Sequence, residues 1–68
     1  MRTNKNGTVV LTDAEWRGAV CLHTDVYWWN GMLLKFNHNL SDGANFEFVR
    51  IVMHRPTKPY DRYLQGVI

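Results

Sequence analysis

The stretch Val26-Tyr27-Trp28-Trp29-Asn30-Gly31-Met32-Leu33-Leu34-Lys35-Phe36 decides how this chain folds. Two strand-like runs of aromatic, aliphatic and β-branched residues flank an Asn-Gly pair, the pair best able to supply positive φ at both central positions of a type I′ turn. A two-residue hairpin follows. Its turn fixes the register, setting Trp29 opposite Met32, Trp28 opposite Leu33, Tyr27 opposite Leu34 and Val26 opposite Lys35. Opposed residues share a face and successive residues alternate, so Tyr27, Trp29, Met32, Leu34 and Phe36 fall on one side. Val26, Trp28, Leu33 and Lys35 fall on the other. The first side reads as core, whereas the second carries a tryptophan and a leucine with a lysine at the rim.

Towards the N-terminus, Gly7-Thr8-Val9-Val10-Leu11 has the β-branched character of a short strand, and the polar residues 1–6 before it are expected to be mobile. Thr12-Asp13-Ala14-Glu15 has the spacing of a capping box, in which the Thr12 hydroxyl accepts the Glu15 amide and the Glu15 carboxylate accepts the Thr12 amide. Trp16, Ala19, Val20 and His23 then recur at helical spacing, which predicts a helix ending near Thr24. Gly18 weakens that helix, and Ala19 to His23 also reads as a strand with Val20 and Leu22 on one face.

Towards the C-terminus, residues 37–45 gather turn formers, and residues 46–54 return as a further strand. Alternation sorts Phe46, Phe48, Arg50, Val52 and His54 from Glu47, Val49, Ile51, Met53 and Arg55. Apolar residues on both sides of that sorting imply a central strand or one interrupted by a bulge. Pro56 and Pro59 end regular pairing. The tail 56–68 still carries Tyr60, Tyr63, Leu64, Val67 and Ile68, enough apolar mass to dock on the sheet or engage another molecule. The expected fold is therefore α+β: a small antiparallel sheet of about four strands with one short helix on one face, in β-α-β-β-β order. A small all-β barrel is the alternative.

A chain of 68 residues, 46% hydrophobic and 21% charged, has room for one domain, 1–68. Its apolar runs fall far short of the ~18 residues that span a membrane. Cys21 is the single cysteine and has no intrachain partner, which suits a reducing compartment; with no apolar signal core near the N-terminus, a cytoplasmic protein is expected. The formal net charge of +2 is unevenly placed, the ends being basic and the middle acidic. The basic C-terminal segment with Arg50, Arg55, Lys58 and Arg62 suits phosphates or an acidic protein surface.

The residues for most chemistries are missing. Cys21, His23, His38 and His54 lack the close pairing of a zinc site, so neither metal nor cofactor is expected. A lone cysteine in a core segment is better explained as a small hydrophobe than as a nucleophile. Asp13 and Glu15 are accounted for by capping and Asp42 by a turn, and the glycines are scattered singly rather than gathered in a phosphate loop. No enzyme is expected.

Two kinds of binding remain. If the helix covers one side of the sheet, Trp28 and Leu33 on the other side form an aromatic anchor with an aliphatic neighbour, the composition of a contact hot spot. The expected contact set is Trp28, Leu33, Lys35, Tyr60 and Arg62, and the expected function is a non-enzymatic module acting by stoichiometric contact with a larger protein. Phage or mobile-element accessory proteins that inhibit host enzymes share this size, an association that rests on no motif. The competing explanation for the same residues is that the tail folds over them.

The alternative function is single-stranded nucleic-acid binding, with Phe46 and Phe48 as stacking platforms and Arg50, Arg55 and Lys58 on phosphates. The RNP1 pattern of RNA-recognition strands fits this strand only in part. Phe46, Phe48, Val49 and Ile51 agree in type, but Ala44 and Asn45 replace the basic residue and glycine, and Glu47 brings a negative charge. A homodimer through uncovered sheet faces or strand edges is the third possibility.

Overall fold

In the computed structural model, which describes residues 1–38 and 44–67, the chain runs β1 (Arg2–Thr3), β2 (Thr8–Leu11), α1 (Asp13–Arg17), β3 (Val20–His23), β4 (Val26–Trp29), β5 (Met32–Phe36), β6 (Ala44–Ile51) and α2 (Asp61–Leu64). The strands form one antiparallel sheet in the order β1-β2-β6-β5-β4-β3. The sheet is open, with β1 and β3 at its edges, so the barrel alternative is set aside. The described residues hold more strands than the expected four, because β1 and β3 join the sheet.

The hairpin has the register read from its turn: Trp29 pairs with Met32, Trp28 with Leu33, Tyr27 with Leu34 and Val26 with Lys35. Asn30 and Gly31 adopt φ of 47° and 80°, the left-handed pair that a type I′ turn requires. The two hairpin faces become two separate cores. Val9, Leu11, Leu34 and Phe46 form one, with Trp16, Tyr27, Trp29, Met32 and Phe36 packed around it. Leu22, Val26, Leu33 and Leu64 form the other, joined by Val20, Trp28, Val49, Val52, Tyr60, Tyr63 and Val67. We call these the helix face and the tail face.

On the helix face, α1 is shorter than its sequence spacing suggested. The capping box forms as expected, with the Glu15 amide donating to the Thr12 hydroxyl at 3.2 Å and the Thr12 amide donating to the Glu15 carboxylate at 2.9 Å. Gly18 then caps the C-terminus, its amide reaching the Glu15 carbonyl at 3.0 Å. Residues 20–23 therefore extend as β3, the strand alternative. Positions 16, 19 and 20 fit a helix and positions 20 and 22 fit a strand; pairing of Val20 with Trp28 and burial of Leu22 decide for the strand. What remains of the helix carries Trp16, whose ring centroid lies 4.5 Å from Tyr27, 4.9 Å from Phe46 and 6.1 Å from Phe36.

Strand β6 is central and bulged. Leu34 pairs with Phe48 but Leu33 pairs with Arg50, so Val49 is the extra residue between them. The bulge explains the mixed alternation seen in the sequence. Phe46 and Phe48 lie on the helix face, Val49 and Arg50 both turn to the tail face, and Ile51, paired with Met32, returns to the helix face. The strand ends at Ile51 rather than running to residue 54. Residues 1–6, expected to be mobile, include β1, with Arg2 paired to Val10 and Thr3 to Val9. Of the turn region predicted at 37–45, residues 39–43 lie outside the described residues, as does Ile68 of the tail.

Candidate functional site

The tail covers the surface first expected to bind a partner. Val52 follows β6 with its amide donating to the Gly31 carbonyl at 2.9 Å, and its own carbonyl accepts the Trp28 indole N–H at 2.7 Å. The chain then crosses the tail face, and Leu64 of α2 sinks to 6% exposure beside Leu33 at 0%. Arg50 fastens this layer: its guanidinium donates to the Gln65 carbonyl at 3.2 Å and also to the Tyr63 carbonyl. Carbonyls at a helix C-terminus lack internal partners, and an arginine beneath them supplies charge-assisted donors.

The expected contact set therefore divides. Leu33 is core and Trp28 is half-buried and hydrogen-bonded, so neither forms an open anchor. Tyr60 is half-buried as part of the covering layer. Lys35 is exposed beside Glu47, its partner in the ladder. Arg62 is exposed, with its guanidinium 4.9 Å above the Tyr63 ring centre and donating to the Tyr63 hydroxyl at 2.9 Å.

The nucleic-acid set divides as well. Phe46 is fully buried against Trp16, while Phe48 is 42% exposed, so the two do not form a pair of open stacking platforms. Arg50 is engaged by tail carbonyls. Arg55 lines a cavity of about 570 Å³ together with Val52, Met53, His54, Thr57, Arg62 and Tyr63. Lys58 lines a different cleft, with Thr57, Pro59, Asp61 and Arg62.

The surface that stands open lies on the helix face, at the end α1 does not reach. Trp16 rests over Tyr27, Phe36 and Phe46, and on the same face Phe48 and Ile51, paired with Leu34 and Met32, are exposed by 42% and 59%. Met53, also exposed, lies past the strand end beside Gly31. Half-buried Trp29 and Met32 floor the same end. The strand edge is open there too. β2 pairs with β6 only from Ala44 to Glu47, so among the described residues no strand lies outside residues 48–51. Sequence reasoning missed this site because Phe48 and Ile51 stand three apart, and only a bulge between them puts both on one face. The mixed alternation was the available signal.

No group of three or more His, Cys, Asp or Glu side chains is placed to hold a metal among the described residues. Cys21 is exposed on edge strand β3, its thiol donating to the His23 carbonyl at 3.5 Å. Burial raises the Tyr27 phenol above its usual value, and the charges of Cys21 and Asp25 add to the effect. His38 Nε2 lies 2.8 Å from an Asp25 carboxylate oxygen at the sheet's end. Among the described residues, no helix is long and apolar enough to cross a membrane.

The fold and site together define a small, mostly β domain: one open antiparallel sheet, covered on one face by its own tail and half-covered on the other by a single turn of helix. No protein-family model matches the chain, and no curated protein or solved structure is significantly similar to it.

Proposed function

We propose that this protein is a non-enzymatic binding module that acts by stoichiometric contact with a larger protein, through the helix-face surface of Phe48 and Ile51. The observation that carries the reading is the continuity of these exposed apolar side chains with an unpaired strand edge. Small soluble domains seldom leave both uncovered together, since an apolar patch favours association and a bare edge offers a row of unmet backbone groups. The contact surface thus moves from the tail face to the helix face, while the mode of action stays as the sequence suggested. The further idea that the partner is a host enzyme inhibited by a phage or mobile-element accessory protein rests on chain size alone.

Affinity capture from a native lysate, with and without nuclease, tests this reading when wild type is compared with Ile51→Glu and Lys35→Glu. Retention of a protein partner that survives nuclease and Lys35→Glu but is lost with Ile51→Glu is the expected result. Capture that Ile51→Glu leaves intact overturns it.

A further inference from the structure

We infer that the cavity lined by Arg55 and Arg62 is a binding site for a phosphomonoester dianion. The site goes beyond the helix-face contact, and neither depends on the other. The first argument is how the tail is held. Val52 is pinned at both backbone groups, its amide by the Gly31 carbonyl at 2.9 Å and its carbonyl by the Trp28 indole at 2.7 Å, and Pro56 is buried further on. Arg55 and Thr57, on either side of that proline, are left exposed. Leu64 sinks into the tail-face core and Arg50 holds the Tyr63 and Gln65 carbonyls, which fixes α2 with Arg62 exposed on it. Two guanidinium groups from separate segments thus line one cavity of about 570 Å³.

The second argument is charge. No carboxylate lines this cavity, and neither Arg55 nor Arg62 forms an ion pair among the described residues. The Asp61 carboxylate lines the neighbouring clefts instead, one with Lys58 and one with His23. Like charges gathered without a counter-ion repel each other, so an anion seated between them is attracted by both. A phosphomonoester carries close to two negative charges at neutral pH and matches the pair, whereas a phosphodiester or a carboxylate carries one.

The third argument is the donors. Arg62 is already oriented: its guanidinium lies 4.9 Å above the Tyr63 ring centre and gives one N–H to the Tyr63 hydroxyl at 2.9 Å, so its other N–H groups are presented by a held plane. Thr57 and His54 line the same cavity and add O–H and N–H donors. Guanidinium forks with neighbouring hydroxyls suit the three terminal oxygens of a phosphoryl group better than the two of a carboxylate. Val52 and Met53 supply apolar wall, and the cavity exceeds a bare phosphate in size, so the organic group of an ester has room against them.

Titration of the isotopically labelled protein with phenyl phosphate at about pH 7.5, where the ester is a dianion, tests the inference by NMR of the arginine Nε–H and backbone amide signals. Phenyl sulfate, similar in shape but singly charged, and inorganic phosphate are titrated beside it. Phenyl phosphate is expected to shift the Arg55 and Arg62 Nε–H signals and to bind about tenfold more tightly than phenyl sulfate. Arg55→Gln and Arg62→Gln should each weaken it about tenfold, whereas Lys5→Gln, which removes a positive charge elsewhere, should change it by less than about twofold. Amide spectra of the free variants, unchanged outside residues 52–67, check that each still folds. Phenyl sulfate binding as tightly as phenyl phosphate overturns the dianion site, and inorganic phosphate binding as tightly overturns the ester assignment. Equal losses in Lys5→Gln and the arginine variants reduce the effect to net charge and overturn the inference. Displacement of phenyl phosphate by oligothymidylate at matched phosphate concentration overturns it in favour of a nucleic-acid groove.

Discussion

Trp28 and Val52, separated by 24 positions in the chain, are joined by a hydrogen bond from the indole N–H to the Val52 carbonyl at 2.7 Å. This bond stands where β6 gives way to the tail, and it turns a ring that the sequence offers as a binding anchor into a fastening for the tail. Replacing Trp28 by Phe keeps most of the apolar volume but leaves the carbonyl without its donor. The loss should be about 1–2 kcal/mol of stability, measured by urea denaturation, with faster amide exchange along residues 60–67. An unchanged denaturation midpoint would show that the bond does not hold the tail.

Arg50 makes the complementary fastening from the sheet side. Arg50→Met preserves an unbranched chain over the same surface and removes the donors to the Tyr63 and Gln65 carbonyls. The variant should lose about 1–3 kcal/mol, and limited proteolysis should cut first within the tail. Because the guanidinium is committed to these carbonyls, Arg50→Met should leave oligothymidylate binding unchanged.

The two faces give opposite responses to truncation. Leu33→Ala removes a fully buried side chain and should cost about 2–5 kcal/mol. Ile51→Ala, at 59% exposure, should stay within roughly 0.5 kcal/mol of wild type. Chemical denaturation of the pair checks the sidedness directly, and similar losses for both would mean that the face assignment at the bulge is wrong.

Much of this sidedness was legible in the sequence, because Asn30-Gly31 dictates a turn whose register sorts every hairpin residue by face. The capping box at Thr12 was equally local and equally clear. What sequence alone left open depended on contacts between distant segments. Val20 and Leu22 became strand because Trp28 and the tail residue Leu64 were there to receive them. Whether the tail would cover Trp28 or leave it free turned on Arg50 and Val52, whose facing is set by the bulge at Val49. That bulge also moved the open apolar surface to Phe48 and Ile51, which simple alternation had placed on opposite faces.

Acid should weaken the cap of α1. The Met1 ammonium, 2.5 Å from the Glu15 carboxylate, and the Thr12 amide hold the Glu15 carboxyl below its ordinary value of 4.5, the ammonium contributing most. A carboxyl depressed in the folded state stabilises the fold above its unfolded pKa, and that contribution fades as pH falls through the folded value. Denaturation midpoints should therefore drop as the pH is taken below the ordinary glutamate value of 4.5, and drop less in Glu15→Gln, which keeps the capping geometry without the charge. Equal acid sensitivity in the two proteins would contradict this account of Glu15.

Hydroxyl-radical footprinting of the protein alone and bound to its captured partner measures most directly which surface does the binding. Protection of Phe48 and Ile51 on complex formation, with labelling of Tyr60 and Tyr63 unchanged, is the predicted pattern. Protection confined to Tyr60 and Tyr63, with Phe48 as reactive as in the free chain, would contradict the assignment of the helix face.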